Sequence, residues 1–160
     1  DAAVAGHMVD RGCESENAER DALRALGRSA KSEAALRSLL LRRYPVATVD
    51  QVLAELRRAG WLDDTKAARV LAERLVEREL LAPTAVRARL LGRGFDETTA
   101  DATLAALDID EVRGLAALAA RLPFDPRHPQ RLAARLARAG YDGDAIAELI
   151  ARQIERAVDD

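Results

Sequence analysis

Apart from its arginines, this 160-residue sequence has few side chains that could do chemistry. It has two histidines, His7 and His128, and one cysteine, Cys13. Catalysis that needs two imidazoles has no second partner for His128, because His7 stands in Gly6-His7-Met8. That tripeptide reads as a tag remnant before a start methionine, and residues 1–8 are set aside. A lone cysteine excludes an internal disulfide framework and a cysteine-rich zinc site, and agrees with a reducing compartment. Cys13 lies in an acidic arm expected to be mobile, where a thiolate is disfavoured, and no chemistry is assigned to it. The pair Asp63-Asp64 reads as a helix cap followed by an acid that the helix dipole favours, in preference to a cation chelate. There is no Gly-rich phosphate loop, no metal-ligand spacing and no nucleophile beside a base. The expectation is a protein that is not an enzyme, with no catalytic, cofactor-binding or metal-binding residue and no cofactor.

The arginines are different. Residues 20–60 hold nine Lys/Arg against four Asp/Glu, and residues 61–95 hold seven against five. An acidic waist follows, with one basic residue against six acids over residues 96–118. The net charge of −2 therefore conceals a basic front half able to orient a charged partner. Arg37, Arg42, Arg43, Arg57 and Arg58 belong to two adjacent helices, with Lys31 just before them, while Arg87, Arg89 and Arg93 would extend the patch. Such guanidinium forks suit phosphate or carboxylate, so these nine residues are the candidate partner-binding set. A sequence pI near 5.8 argues against tight autonomous DNA binding. A protein, or a protein–nucleic-acid filament, fits this strip better than naked duplex. Single- or double-stranded DNA is a weaker candidate.

Almost every segment that must position these residues reads as helix, and no region alternates with a period of two. Ser32 caps one helix, Thr48 with Gln51 and Asp108 with Glu111 form capping boxes, and Asp96 and Asp142 start two more. Pro83 and Pro129 suit first turns, and Gly60 and Gly140 suit left-handed helix ends. The first helix is expected from Glu19 to Arg28. Tyr44, Phe95 and Tyr141, spaced by 51 and then 46 residues, each follow one helix and precede the next. Leu39, Leu90 and Leu136 stand five positions earlier. Twelve positions later Leu56 and Leu107 agree, but the third copy has Gln153. The residue before the aromatic is Arg43, Gly94 or Gly140, which makes the first turn the strained or differently built one.

The fold expected is all-α, with about nine helices in three tandem three-helix repeats forming an elongated, curved array. The divisions are a tag remnant and flexible arm over 1–18, then repeats over 19–60, 61–108 and 109–160. Trp61 is expected as a wedge between the first two. No stretch approaches the ~20 apolar residues of a membrane helix. A cytoplasmic location, in keeping with the lone cysteine, and a monomeric state are expected.

With the repeats in place, the chain resembles the RecX family of recombinase regulators. The resemblance rests on Gly60-Trp61-Leu62-Asp63-Asp64-Thr65-Lys66-Ala67-Ala68, on Lys31-Ser32-Glu33-Ala34-Ala35-Leu36, and on the turns Arg93-Gly94-Phe95 and Ala139-Gly140-Tyr141. These occur in the family's order over about residues 19–155. Where the family often has Gly-Lys-x-Arg, this chain has Leu81-Ala82-Pro83-Thr84-Ala85-Val86. The resemblance implies binding to the RecA recombinase in the groove of its filament on single-stranded DNA. It further implies suppression of the ATPase, coprotease and strand-exchange activities, and so modulation of recombination and the SOS response. A DNA-binding protein of helix-turn-helix type is the alternative.

Overall fold

The computed structural model describes residues 2–159, with side chains from 12 to 158. Its nine helices are α1 (Ala2–Arg28), α2 (Glu33–Leu40), α3 (Val46–Arg58), α4 (Asp64–Glu77), α5 (Pro83–Gly92), α6 (Glu97–Ala105), α7 (Glu111–Arg121), α8 (Pro129–Arg138) and α9 (Gly143–Asp159). There is no strand among the described residues. Local chemistry explains most of the boundaries. The side chains of Ser32, Asp63 and Asp96 accept from Ala35 N, Lys66 N and Thr99 N, and Asp142 accepts from Asp144 N and Ala145 N. Each bond satisfies a donor that the first helical turn leaves open. Gly60, Gly94 and Gly140 sit at φ +80°, +87° and +91°, where the chain reverses after a helix.

Two expected capping boxes are not formed. Pro45 occupies the N-cap of α3, so Thr48 lies inside the helix and its hydroxyl donates instead to Glu14 Oε1 at 3.0 Å. For α7 the cap is Asp110, which accepts from Arg113 N, two residues beyond the expected Asp108. The first helix begins well before Glu19: Cys13 lies on it, exposed, with Asn17 Nδ2 at 3.8 Å from its sulfur. The expected boundary at residue 19 falls inside α1 because Ala18 and Ala22 are fully buried one turn apart, continuing the helix's apolar stripe. Trp61 is no wedge. It is 63% exposed, and Leu62 takes the buried place beside it.

The apolar side chains gather in three successive clusters. The first joins Ala18, Ala22, Leu36, Val49 and Leu53; the second joins Ala72, Leu75, Val86, Leu90 and Phe95; the third joins Leu115, Leu132, Leu136, Tyr141 and Ile146. Helices α1, α2 and α3 pack on one another pairwise, as do α4, α5 and α6; α8 packs on both α7 and α9. The accessible surface is 10680 Å². A compact monomer of this mass would expose about 7,900 Å², so the molecule is extended, a row of small cores.

Neighbouring cores are joined at the starts of α2 and α5. Ser32 is completely buried: its hydroxyl, besides capping α2, donates to the carbonyl of Arg93 at 2.7 Å. A Cβ added at Gly94 would lie 2.7 Å from the Ser32 hydroxyl oxygen, so the turn needs glycine for its backbone angle and for its closeness. One repeat further on, Thr84 Oγ1 donates to the carbonyl of Gly140 at 2.8 Å. Arg43 takes the glycine's place in the first repeat, and its turn closes through Arg43 N and Tyr44 N, both donating to Leu40 O. It has no left-handed residue; it is built differently and is unstrained.

Candidate partner-binding surface

The nine basic residues expected at a partner surface separate into two groups once their neighbours are known. Arg37 pairs with Asp50, Arg57 Nε lies 3.0 Å from Glu33 Oε2, and Arg87 donates to both oxygens of Asp101 at 2.6 and 3.3 Å. The hydrogen bond in that last pair moves both groups away from their usual ranges, Arg87 up and Asp101 down. All three pairs tie two helices of the same region and lie near solvent, where such contacts contribute little stability. Their guanidinium groups are already engaged. Lys31 is half-buried and donates to Ser29 Oγ at 2.9 Å, and Arg58 Nε reaches back to Ala54 O at 3.3 Å. Arg42, Arg89 and Arg93 are exposed and make no ion pair among the described residues.

Around the α2–α3 turn the structure brings together arginines from two parts of the sequence. Arg42 and Arg43 line a shallow cleft of about 380 Å³ with Arg24 and Arg28 of α1. One carboxylate, Asp21, serves this cluster: Arg43 Nη1 lies 2.9 Å and Arg24 Nη1 3.7 Å from it. Tyr44 donates its hydroxyl to Asp21 Oδ2 at 2.7 Å, and that hydrogen bond, followed by burial, raises the phenol above its ordinary pKa of 10.0. The Arg43 guanidinium sits 5.9 Å over the Tyr44 ring, a cation–π contact that holds it in place. Four arginines against one acid give this cleft a positive charge of the kind that suits a carboxylate or phosphate group. Arg24 and Arg28 were absent from the sequence-based set. Their i, i+4 spacing on one helix face was the available signal, but nothing local says that this face meets Arg42.

Among the described residues no group of His, Cys, Asp and Glu could hold a metal ion. Among the same residues no helix is long and apolar enough to cross a membrane. His128 Nδ1 lies 2.8 Å from Asp125 Oδ2, and that hydrogen bond holds the Asp125 carboxyl below its usual range. The pair sits just before Pro129, ordering the entry to α8.

Fold and surface thus define a class: an all-α protein of tandem three-helix repeats with a basic first repeat. No family model matches the chain. Regulatory protein RecX of one strain of Thermus thermophilus is 37% identical to it over 90 residues, which are 56% of this chain and 62% of that protein. The same protein of a second strain of that organism is 36% identical over the same shares. The chain therefore matches about three-fifths of the length of these curated relatives. The crystal structure of RecX from Lactobacillus salivarius superimposes with a TM-score of 0.70, covering 90% of this chain and 98% of that one at 15% identity. A crystal structure of regulatory protein RecX gives 0.70 over 91% and 75%, at 19% identity. In sequence the chain is similar to these RecX proteins over that stretch, and the solved structures share its fold.

Proposed function

We propose that this chain is a non-enzymatic regulator that binds the RecA recombinase filament and inhibits its ATPase, coprotease and strand-exchange activities. The observation that carries this reading is the joining of three small cores into an extended row through the two matching glycine-turn joints. A row of modules can span several subunits of a polymer. Once one module is bound, the others act at a high effective concentration, so weak contacts sum to useful avidity. The cluster of Arg24, Arg28, Arg42 and Arg43 is the candidate contact for acidic side chains or DNA phosphates of that polymer. Arg89 and Arg93 extend it as secondary contacts. Arg37, Arg57 and Arg87, each held by a carboxylate, have a structural part in this reading.

The test is the ATPase rate of a recombinase filament on single-stranded DNA, titrated with the chain. Reversing the charge at Arg24, Arg28 and Arg42 together weakens inhibition by about tenfold or more, with helicity unchanged. Unchanged inhibition removes the patch from the mechanism. Absence of any inhibition by the unaltered chain, together with salt-dependent binding to bare duplex, favours the helix-turn-helix alternative.

A further inference from the structure

The start of α8 departs from the pattern that the other two middle helices share. In α2 and in α5 the first turn receives the glycine turn of the following repeat. A Cβ added at Gly94 would lie 3.6 Å from Ala34 Cβ, and one added at Gly140 would lie 2.7 Å from Ala85 Cβ. Ala34 and Ala85 each stand ten positions before the aromatic of their own repeat; ten positions before Tyr141 stands Arg131. At the next two places on that face the first repeat has Ser38 and Leu41 and the second has Arg89 and Gly92. The third has Arg135 and Arg138. In place of a docked turn there is a cleft of about 540 Å³, lined by residues between 123 and 138. Pro123, Phe124 and Leu132 make its apolar floor, with Leu132 buried and Phe124 packed on the third cluster. The period that buries Leu132, Leu136 and Ala139 sets Arg131, Arg135 and Arg138 along the cleft in a parallel row one residue back, about 10 Å long. All three are exposed and make no ion pair among the described residues. Arg138 Nε reaches back to Ala134 O at 3.3 Å. The one acid lining the cleft, Asp125, is already bonded to His128 Nδ1 and to Arg127 N.

We propose that this cleft binds a short acidic segment of a protein partner. One apolar side chain of that segment rests on Phe124 and Leu132, and its carboxylates meet Arg131 and Arg135. Other occupants fit less well. A glycine turn that must approach as closely as Gly140 does has no room beside the long side chain of Arg131. The turn that a second copy would offer is the one at Arg43, where cation would face cation. A nucleic-acid strand carries a charge at every nucleotide and tracks an extended positive groove. Here the positive surplus is local. Over residues 119–160 basic and acidic side chains balance at seven each, and Asp144 and Glu148 stand on α9, which packs against α8. Three guanidinium groups against one engaged carboxylate suit a ligand with a few carboxylates, which each arginine can grip as a fork. The floor adds an apolar contact that a flat basic surface lacks.

The inference goes beyond the regulation of a filament, and its test contains no recombinase, so the two can fail separately. The isotope-labelled chain is titrated at low salt with a synthetic peptide of four acidic residues around one phenylalanine. Amide shifts locate the binding and separate this cleft from the arginine cluster of the first repeat. Shifts along residues 123–138 are expected. Arg131→Ala with Arg135→Ser, the residues that α2 carries at these places, weakens that binding by about tenfold without moving the melting temperature. Arg74→Ala, which removes an exposed arginine of α4, leaves it unchanged. Exchanging the peptide's phenylalanine for alanine weakens it by about threefold or more. No shift over residues 123–138 at millimolar peptide overturns the proposal, as does indifference to the phenylalanine. Oligothymidylate of equal charge that binds there as tightly as the peptide gives the cleft to nucleic acid and overturns it too.

Discussion

The joint between the first and second cores and the joint between the second and third use one motif with different materials. In the first, a single buried hydroxyl does two tasks: Ser32 caps α2 and donates across to Arg93 O. A second bond completes it, Glu33 N donating to Asp64 Oδ1 at 2.8 Å. The second joint uses side-chain donors as well and adds a bond between two backbones. Ala82 N donates to Ala139 O at 2.9 Å, Tyr141 sends its hydroxyl to Leu80 O at 2.6 Å, and Arg121 donates to Arg78 O at 2.9 Å. Ala82 itself is buried in the third cluster, and Leu81 touches both the second and the third. The comparison teaches that a joint whose turn comes closest to a side-chain atom can be tuned by single substitutions, whereas one whose turn also comes within 2.9 Å of a backbone nitrogen tolerates little change there.

Gly140→Ala breaks the second joint most severely. The new Cβ meets Ala85 Cβ and Thr84 Oγ1 at 2.7 Å and the backbone Ala85 N at 2.9 Å, in a left-handed turn. We expect a loss of about 3 kcal/mol in urea unfolding. Gly94→Ala is milder, about 2 kcal/mol, because the closest obstacle at 2.7 Å is the Ser32 hydroxyl, a side-chain atom. Ser32→Ala alone should cost about 1.5 kcal/mol through loss of cap and bridge. In the Ser32→Ala, Gly94→Ala double variant the total falls short of the sum, since removing the hydroxyl clears space for the new methyl. Strict additivity in that cycle would show that the contact does not set the glycine requirement.

Tyr141→Phe removes the bond to Leu80 O and should cost about 1 kcal/mol, with no counterpart in the first joint. The smallest effect is alkaline. Burial, and then Glu111, push Tyr141 above its ordinary 10.0, so its folded form holds the proton more tightly than the unfolded chain does. That contribution is complete below pH about 10 and is lost as pH rises through the folded value. Thermal melts of Tyr141→Phe should therefore show a shallower decline than the unaltered chain over that range. Identical declines would show that Tyr141 contributes nothing to alkaline sensitivity.

The sequence by itself determined the helices, their order and the period that relates them. Ser32, Asp63 and Asp96 act on amide groups three residues away, and the glycine turns close bonds within five residues, as from Phe95 N to Leu90 O. Interactions of that range are written in neighbouring residues. The two failed capping boxes show the limit, because Thr48 and Asp108 had the right type but a competing Pro45 or Asp110 lay close by. Only the tertiary structure decided which arginines were neutralised, that Arg24 and Arg28 join Arg42 and Arg43, and that Trp61 faces solvent. Those outcomes depend on pairs such as Ser32 and Arg93, 61 residues apart. Packing of whole cores, which no local pattern encodes, is what brings such residues together.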